Sequence, residues 1–172
     1  LKNKNVKNGI AREYDEDKFN SVLDKLPFKL TVDQQSVLDE ILSDMKSKRR
    51  MNRLLQGDVG SGKTIVSILA MYANYLSGYQ SALMAPTEIL AVQHYNNVMK
   101  VLDGTGVKIE MLTGSLTKKE KDKIHERLES GDIDIVIGTH ALIQSDVNYS
   151  NLGLVITDEQ HRFGVLQRTN LS

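Results

Sequence analysis

Apolar residues recur along the chain with two different spacings, and their alternation predicts the architecture. Leu38, Ile41, Leu42 and Met45 fall on one face of a 3.6-residue repeat. They sit behind Thr31 and Gln34, which have the spacing of a capping box. The basic stretch Lys46–Arg53 is read as the end of that helix, where cations suit the negative end of its dipole. A short apolar strand, Leu54–Leu55, follows. Ile65, Val66, Ile68, Leu69, Tyr72 and Leu76 then surround a helix that is expected to be buried on most sides, and Gly78 is placed to stop it.

Ser81–Ala85 reads as a second strand. Ile89, Leu90, Val92, Tyr95, Val98 and Leu102 support a helix that ends before Gly104. Val107, Ile109 and Met111 alternate as in a strand. Thr117 and Glu120 repeat the capping-box spacing and open a helix expected to stop near Gly131. Ile133–Ile137 and Leu152–Thr157 complete the set of strands. Strands alternating with helices predict an α/β fold, with a central, mostly parallel sheet and helices on both faces. The continuous apolar runs Ile135–Ile137 and Leu154–Ile156 suit central strands covered on both sides. Residues 1–25, rich in Lys, Asn and Asp, read as a linker or the trailing part of a preceding domain, with any helix there short. Pro27 marks the boundary, and residues 26–172 form the domain itself.

Composition narrows the class. The 172 residues are 40% hydrophobic and 26% charged, as in one soluble globular domain. No apolar run approaches the roughly 20 residues of a membrane helix, so no membrane partner is expected. Cysteine is absent, which excludes disulfides and thiolate metal sites and suits a reducing cytoplasm. Lys plus Arg and Asp plus Glu balance at 22 each. That balance argues against purely electrostatic binding to nucleic acid, although local patches matter more than the sum.

Two segments carry chemistry. Gly57, Asp58, Val59, Gly60, Ser61, Gly62, Lys63 and Thr64 match G-x-x-x-x-G-K-[ST] between an apolar strand and a helix. Glycines let backbone N–H groups turn inward around phosphate oxygens, and the helix presents its positive end to the same anion. Lys63 is expected to reach the β and γ phosphates of ATP, and the Thr64 hydroxyl to coordinate Mg²⁺. Further on, Val155-Ile156-Thr157 ends in Asp158-Glu159, two acids at the carboxyl end of a strand, where open α/β sheets bind ligands. Asp158 is assigned to Mg²⁺ through water, and Glu159 to orienting and deprotonating the attacking water. His161, two residues past that base, is assigned to sensing the γ-phosphate. His94, His125 and His140 form no metal-ligand cluster, and His94 and His125 are read as structural or exposed.

These segments resemble motifs I and II of the superfamily 2 helicases. Ala85-Pro86-Thr87-Glu88-Ile89-Leu90-Ala91 resembles motif Ia, Thr113-Gly114-Ser115 motif Ib, and Gly138-Thr139-His140-Ala141-Leu142 the next DNA-contact motif. Leu26-Pro27-Phe28, Leu30-Thr31 and Gln34 resemble the adenine-reading motif. The run Asp158-Glu159-Gln160-His161-Arg162-Phe163-Gly164-Val165 narrows the likeness to the bacterial members that remodel stalled forks and branch-migrate Holliday junctions. The transcription-repair coupling translocases are the nearest alternative, and typically have Glu where Gln160 stands.

The resemblance implies a RecA-like P-loop NTPase fold, ATP and Mg²⁺ as cofactors, and branched or forked DNA as partner. It implies that Gln34 reads adenine with Phe28 packed nearby, while the capping box stays open as the other role of Gln34. It implies that Pro86, Thr87, Glu88, Thr113, Gly114, Thr139 and His140 line the DNA track, mainly through phosphate contacts. Arg162-Phe163-Gly164 would link the ATP site to DNA, with ordinary packing as the alternative. The lysines at 118, 119, 121 and 123, interleaved with Glu120 and Asp122, read as a solvated helix face. The family's Ser-Ala-Thr motif, its second RecA-like domain and its wedge domain have no counterpart in these residues. The chain is therefore expected to be the first motor domain of a longer protein, C-terminally incomplete. Alone, it is expected to bind nucleotide weakly and unwind nothing, because an arginine finger is worth roughly 10³–10⁵ in rate.

Overall fold

A computed structural model of the chain describes residues 15–45, 51–56, 63–143 and 147–159. For Met45, residues 51–56, Lys63, Ile143 and Glu159, only the backbone is described. The elements in chain order are α1 (Glu16–Lys25), α2 (Val32–Met45), β1 (Met51–Gln56), α3 (Lys63–Leu76), β2 (Gln80–Met84), α4 (Glu88–Val101), β3 (Ile109–Leu112), α5 (Lys118–Ser130), β4 (Ile135–Gly138), a 3-10 turn (His140–Ile143) and β5 (Leu152–Glu159). The five strands form one sheet in the order β1-β5-β2-β4-β3, and every pairing is parallel.

The two sheet faces follow from the strict alternation of side chains along a strand. Ala82, Val136 and Val155 are register partners across β2, β4 and β5, as are Leu83, Ile137 and Ile156. The Leu83 row faces a core built from α1, α2, α3 and α4, including Leu38, Leu69, Met71 and Val98. The Ala82 row faces a smaller core holding Ile124 and Leu128 of α5 with Ala141 and Leu142 of the 3-10 turn. The expected two-sided parallel sheet is therefore present. Helix α3 is its most enclosed helix, with Leu69, Ala70, Met71 and Ala73 fully buried.

Local signals act where the residues require them. Thr117 and Glu120 form both bonds of a capping box at the start of α5, and Gly131 ends the helix in the left-handed region at φ 85°. Thr31 and Gln34 form the same reciprocal pair at 2.8 and 3.1 Å. Gly138 needs its missing side chain, because a Cβ there would overlap the Leu112 carbonyl oxygen on β3. Close approach of β3 to β4 thus sets the residue type at the end of β4.

Two segments differ from the expected pattern. Met51–Arg53 belong to β1 instead of the end of α2. Their parallel pairing with Leu154–Ile156 of β5 outweighs the basic composition that suggested a helix end. Glu16–Lys25, within the segment read as a linker or trailing part, forms a ten-residue helix capped by Asp15. Its Phe19 and Val22 are buried in the larger core, and the Phe19 ring stacks on Tyr72 of α3 at 6.4 Å between centroids. His94, read as structural or exposed, is fully buried, in line with the first of those readings.

Candidate active site

Two strand ends bring the chemistry together. β1 and β5 are neighbours in register, with Leu55 opposite Asp158 and Gln56 opposite Glu159. Gln56 ends β1 and Lys63 opens α3, so the ends of the glycine-rich segment are fixed beside the acidic end of β5. Gly57, Asp58, Val59, Gly60, Ser61 and Gly62 themselves lie outside the described residues, as do Gln160, His161 and Arg162-Phe163-Gly164. The backbones of Lys63 and Glu159 are placed at that same edge. Thr64, in the first turn of α3, is buried.

Asp158 is the most informative side chain. It is 1% exposed, and its Oδ2 lies 2.6 Å from Nε2 of His94, which is itself wholly buried. A carboxylate only accepts, so the Nε2 atom carries the proton and donates it. Oδ1 of Asp158 and Nδ1 of His94 have no hydrogen-bond partner among the described residues. A buried, unpartnered carboxylate oxygen is costly unless a ligand or water completes it. It fits a hydrated Mg²⁺, which takes one or two carboxylates together with phosphates and water.

His94 escaped the reading of the sequence because its partner is 64 residues away. One signal was present, however. Ala91, His94 and Val98 form the buried stripe of α4, and a titratable group on such a stripe must find a polar partner.

A cavity of 660 Å³ opens next to Thr64. The Leu26-Pro27-Phe28 segment lines one side, and Asn97 and Lys100 of α4 line another. Phe28 is 47% exposed, so its ring is available to a flat apolar group. Gln34 is engaged through Oε1 in the capping box. Its structural role is therefore realised in the geometry, beside the adenine contact that the resemblance implies.

The other three strands end at the same edge. Pro86 and Thr87 follow β2, Thr113 and Gly114 follow β3, and Thr139 and His140 follow β4. Ala85 N–H donates to the Gly138 carbonyl at 2.7 Å, tying the first of these loops to the third. Glu88 accepts from the Ser115 N–H at 3.2 Å, tying the first to the second. Bonds from the Ser115 and Thr113 side chains hold the Glu88 carboxyl below the usual carboxylate range. Thr87 caps α4 by accepting from Leu90 N–H and remains exposed, as do Gly114 and His140. Thr113 is 2% exposed, and its hydroxyl lies 3.3 Å from that of Ser115. The accessible part of that turn is therefore Gly114 and Ser115.

A parallel sheet whose first strand is joined to a helix by a glycine-rich segment, next to a strand ending in Asp-Glu, defines a RecA-like nucleotide-handling domain. Residues 31–171 match the family model described as DEAD/DEAH box helicase. The chain belongs to that family.

Among curated relatives it is similar to the ATP-dependent DNA helicase RecG of Staphylococcus aureus, with 57% identity over 159 residues. The matched region is 92% of this chain and 23% of that protein. Similarity to the RecG of Bacillus subtilis is 53% over 163 residues, 95% of this chain and 24% of the relative. Of solved structures, one described as RecG bound to a three-way DNA junction superposes with a TM-score of 0.80 at 49% identity, covering 94% of this chain and 22% of that one. The chain thus spans about a quarter of the length of these relatives. Among the described residues, no helix is long and apolar enough to cross a membrane.

Proposed function

We propose that this chain is the first RecA-like domain of an ATP-driven motor that translocates on branched DNA and unwinds or branch-migrates it. One observation carries the reading. The strand order β1-β5-β2-β4-β3 divides a single sheet edge into two halves. The β1 and β5 ends carry the phosphate-binding signature and the acidic pair; the β2, β4 and β3 ends carry the loops assigned to DNA. Likeness to proteins named as ATP-dependent DNA helicases, one of them bound to a three-way junction, supports the same reading.

In this reading the backbone N–H groups of Gly57–Gly62 cradle the phosphates and Lys63 neutralises the β and γ oxygens. Thr64 and Asp158 hold Mg²⁺, which when bound offsets charge on the transferred phosphoryl group. Glu159 positions a water in line with the γ-phosphorus and takes its proton, as the bond from that phosphorus to the β–γ bridging oxygen breaks. His161 senses the γ-phosphate. Phe28 meets adenine at the cavity beside Thr64, and Gln34 reads it as the resemblance implies. Pro86, Thr87, Glu88, Thr113, Gly114, Thr139 and His140 form or support the surface that follows the DNA backbone, where hydroxyls and N–H groups suit phosphate contacts without a sequence code. A second RecA-like domain and a wedge domain, elsewhere in the full-length protein, would close on the nucleotide and split the strands.

Forked-DNA unwinding by the full-length protein tests the proposal. Lys63→Ala and Glu159→Gln are expected to abolish ATP-driven unwinding while fork binding persists. Unwinding at the wild-type rate in either variant would refute it. A nucleotide-gated binding module differs measurably, because its ATP turnover would not respond to DNA.

A further inference from the structure

We propose that His94 is a positioning residue: it ties the carboxylate of Asp158 to helix α4 and so carries DNA occupancy at the amino end of that helix to the nucleotide site. The inference rests on the motor reading above and adds a residue and a route to it.

Both side chains are fully buried and meet at 2.6 Å. The bond joins α4 to the end of β5, two elements that otherwise approach the site separately. On one side, Asp158 is the register partner of Leu55, two residues before the glycine-rich segment. Its other oxygen, Oδ1, is the buried atom without a partner among the described residues. His94 therefore fixes one carboxylate oxygen and leaves the second to the nucleotide site. On the other side, α4 begins at Thr87 and Glu88, in the loop assigned to DNA. Glu88 holds the neighbouring loop through Ser115.

His94 lies about two helical turns from Thr87, roughly 10 Å along the axis. A helix of this length moves as a rigid body. A displacement of its amino end by a DNA backbone would therefore shift His94, and the Asp158 carboxylate would turn with it. Coupling of this kind needs one element that both sites bias, and α4 is that element. A purely structural pair would affect stability alone.

The test is binding of a fluorescent, non-hydrolysable ATP analogue with Mg²⁺ to the full-length protein, with and without forked DNA. It compares wild type, His94→Gln and His94→Asn. The Gln amide nitrogen can reach the position of Nε2, whereas that of Asn reaches only the position of Nδ1. DNA is expected to change the wild-type Kd by a coupling factor on the order of 5–150. Gln is expected to retain most of that factor, and Asn to bring it to about 1. Equal coupling in all three proteins, or equal loss in both variants, would overturn the role of His94. So would a wild-type protein that binds the Mg²⁺-nucleotide without any response to DNA. A wild type that binds no Mg²⁺-nucleotide would instead sink the motor reading itself. Should the Asn variant fail to fold, His94→Ala takes its place beside Gln, with coupling lost in Ala and kept in Gln supporting the assignment and coupling kept in both overturning it.

Discussion

Leu55 and Asp158 are register partners on adjacent parallel strands, so the approach to the glycine-rich segment and the first acid of the pair end side by side. They are more than a hundred positions apart in the chain, and only the crossover through α3, β2 and the following elements brings them together. Every role assigned to the nucleotide half of the sheet edge depends on this adjacency. The loop after β2 lies one strand spacing from β5, with those after β4 and β3 beyond it, so in the proposed reading nucleotide and polynucleotide share one sheet edge.

Glu88 offers a test in which two effects have opposite signs. Its carboxylate faces the Thr113-Gly114-Ser115 turn and accepts from the Ser115 N–H. By charge alone, Glu88→Ala would strengthen binding to a phosphate backbone. Loss of the bond that orders the turn would weaken it. The account predicts that the second effect wins, with fork affinity in low salt falling about threefold, the equivalent of one modest hydrogen bond. Tighter binding by the variant would show that the turn needs no such support.

The caps of α5 should contribute independently. Thr117→Ala removes the acceptor for Glu120 N–H and is expected to cost about 1 kcal/mol. Gly131→Ala places a side chain at φ 85°, with a cost of about 1–2 kcal/mol. The two positions lie roughly 20 Å apart along the helix, so the losses should add in urea unfolding of the double variant. A double variant no less stable than either single one would contradict this.

Tyr149 predicts an alkaline limb in stability. Its hydroxyl donates to the Leu142 carbonyl, and burial pushes the group up to about 12 from 10.0. The folded value is the higher one, so its contribution is fully present below pH 10 and is lost as pH rises toward 12. Tyr149→Phe should flatten that limb and cost about 1 kcal/mol at neutral pH for the lost hydrogen bond. Part of the slope should remain, since desolvation also raises Tyr72. Thermal unfolding between pH 8 and 12 measures both effects, and an unchanged limb would count against this assignment.

Local signals were legible in the sequence, and long-range pairings were not. The capping boxes at Thr31 and Thr117, the stop at Gly131 and the apolar runs of the central strands all announce themselves within a few residues. Asp158-Glu159 was placed correctly at a strand end because an apolar run leads into it. Met51–Arg53 were misread because charge at a helix end and charge in a strand look alike until β5 supplies the partner. The helix at Glu16–Lys25 was obscured by its polar composition; only Phe19 and Val22 reveal its buried side. The bond between His94 and Asp158 has no local signature, since it depends on how α4 crosses the sheet. The exposed role of Glu88 in holding a second loop is likewise a product of the fold.

The most direct test of the shared edge replaces Mg²⁺ with Fe²⁺, in the presence of ATP and peroxide, and maps where the backbone of the full-length protein is cut. The account predicts ATP-dependent cuts in both the 57–64 and 157–159 segments, because one metal–nucleotide complex lies against both. Cuts confined to one segment, or absent from both while other sites are cleaved, would contradict it.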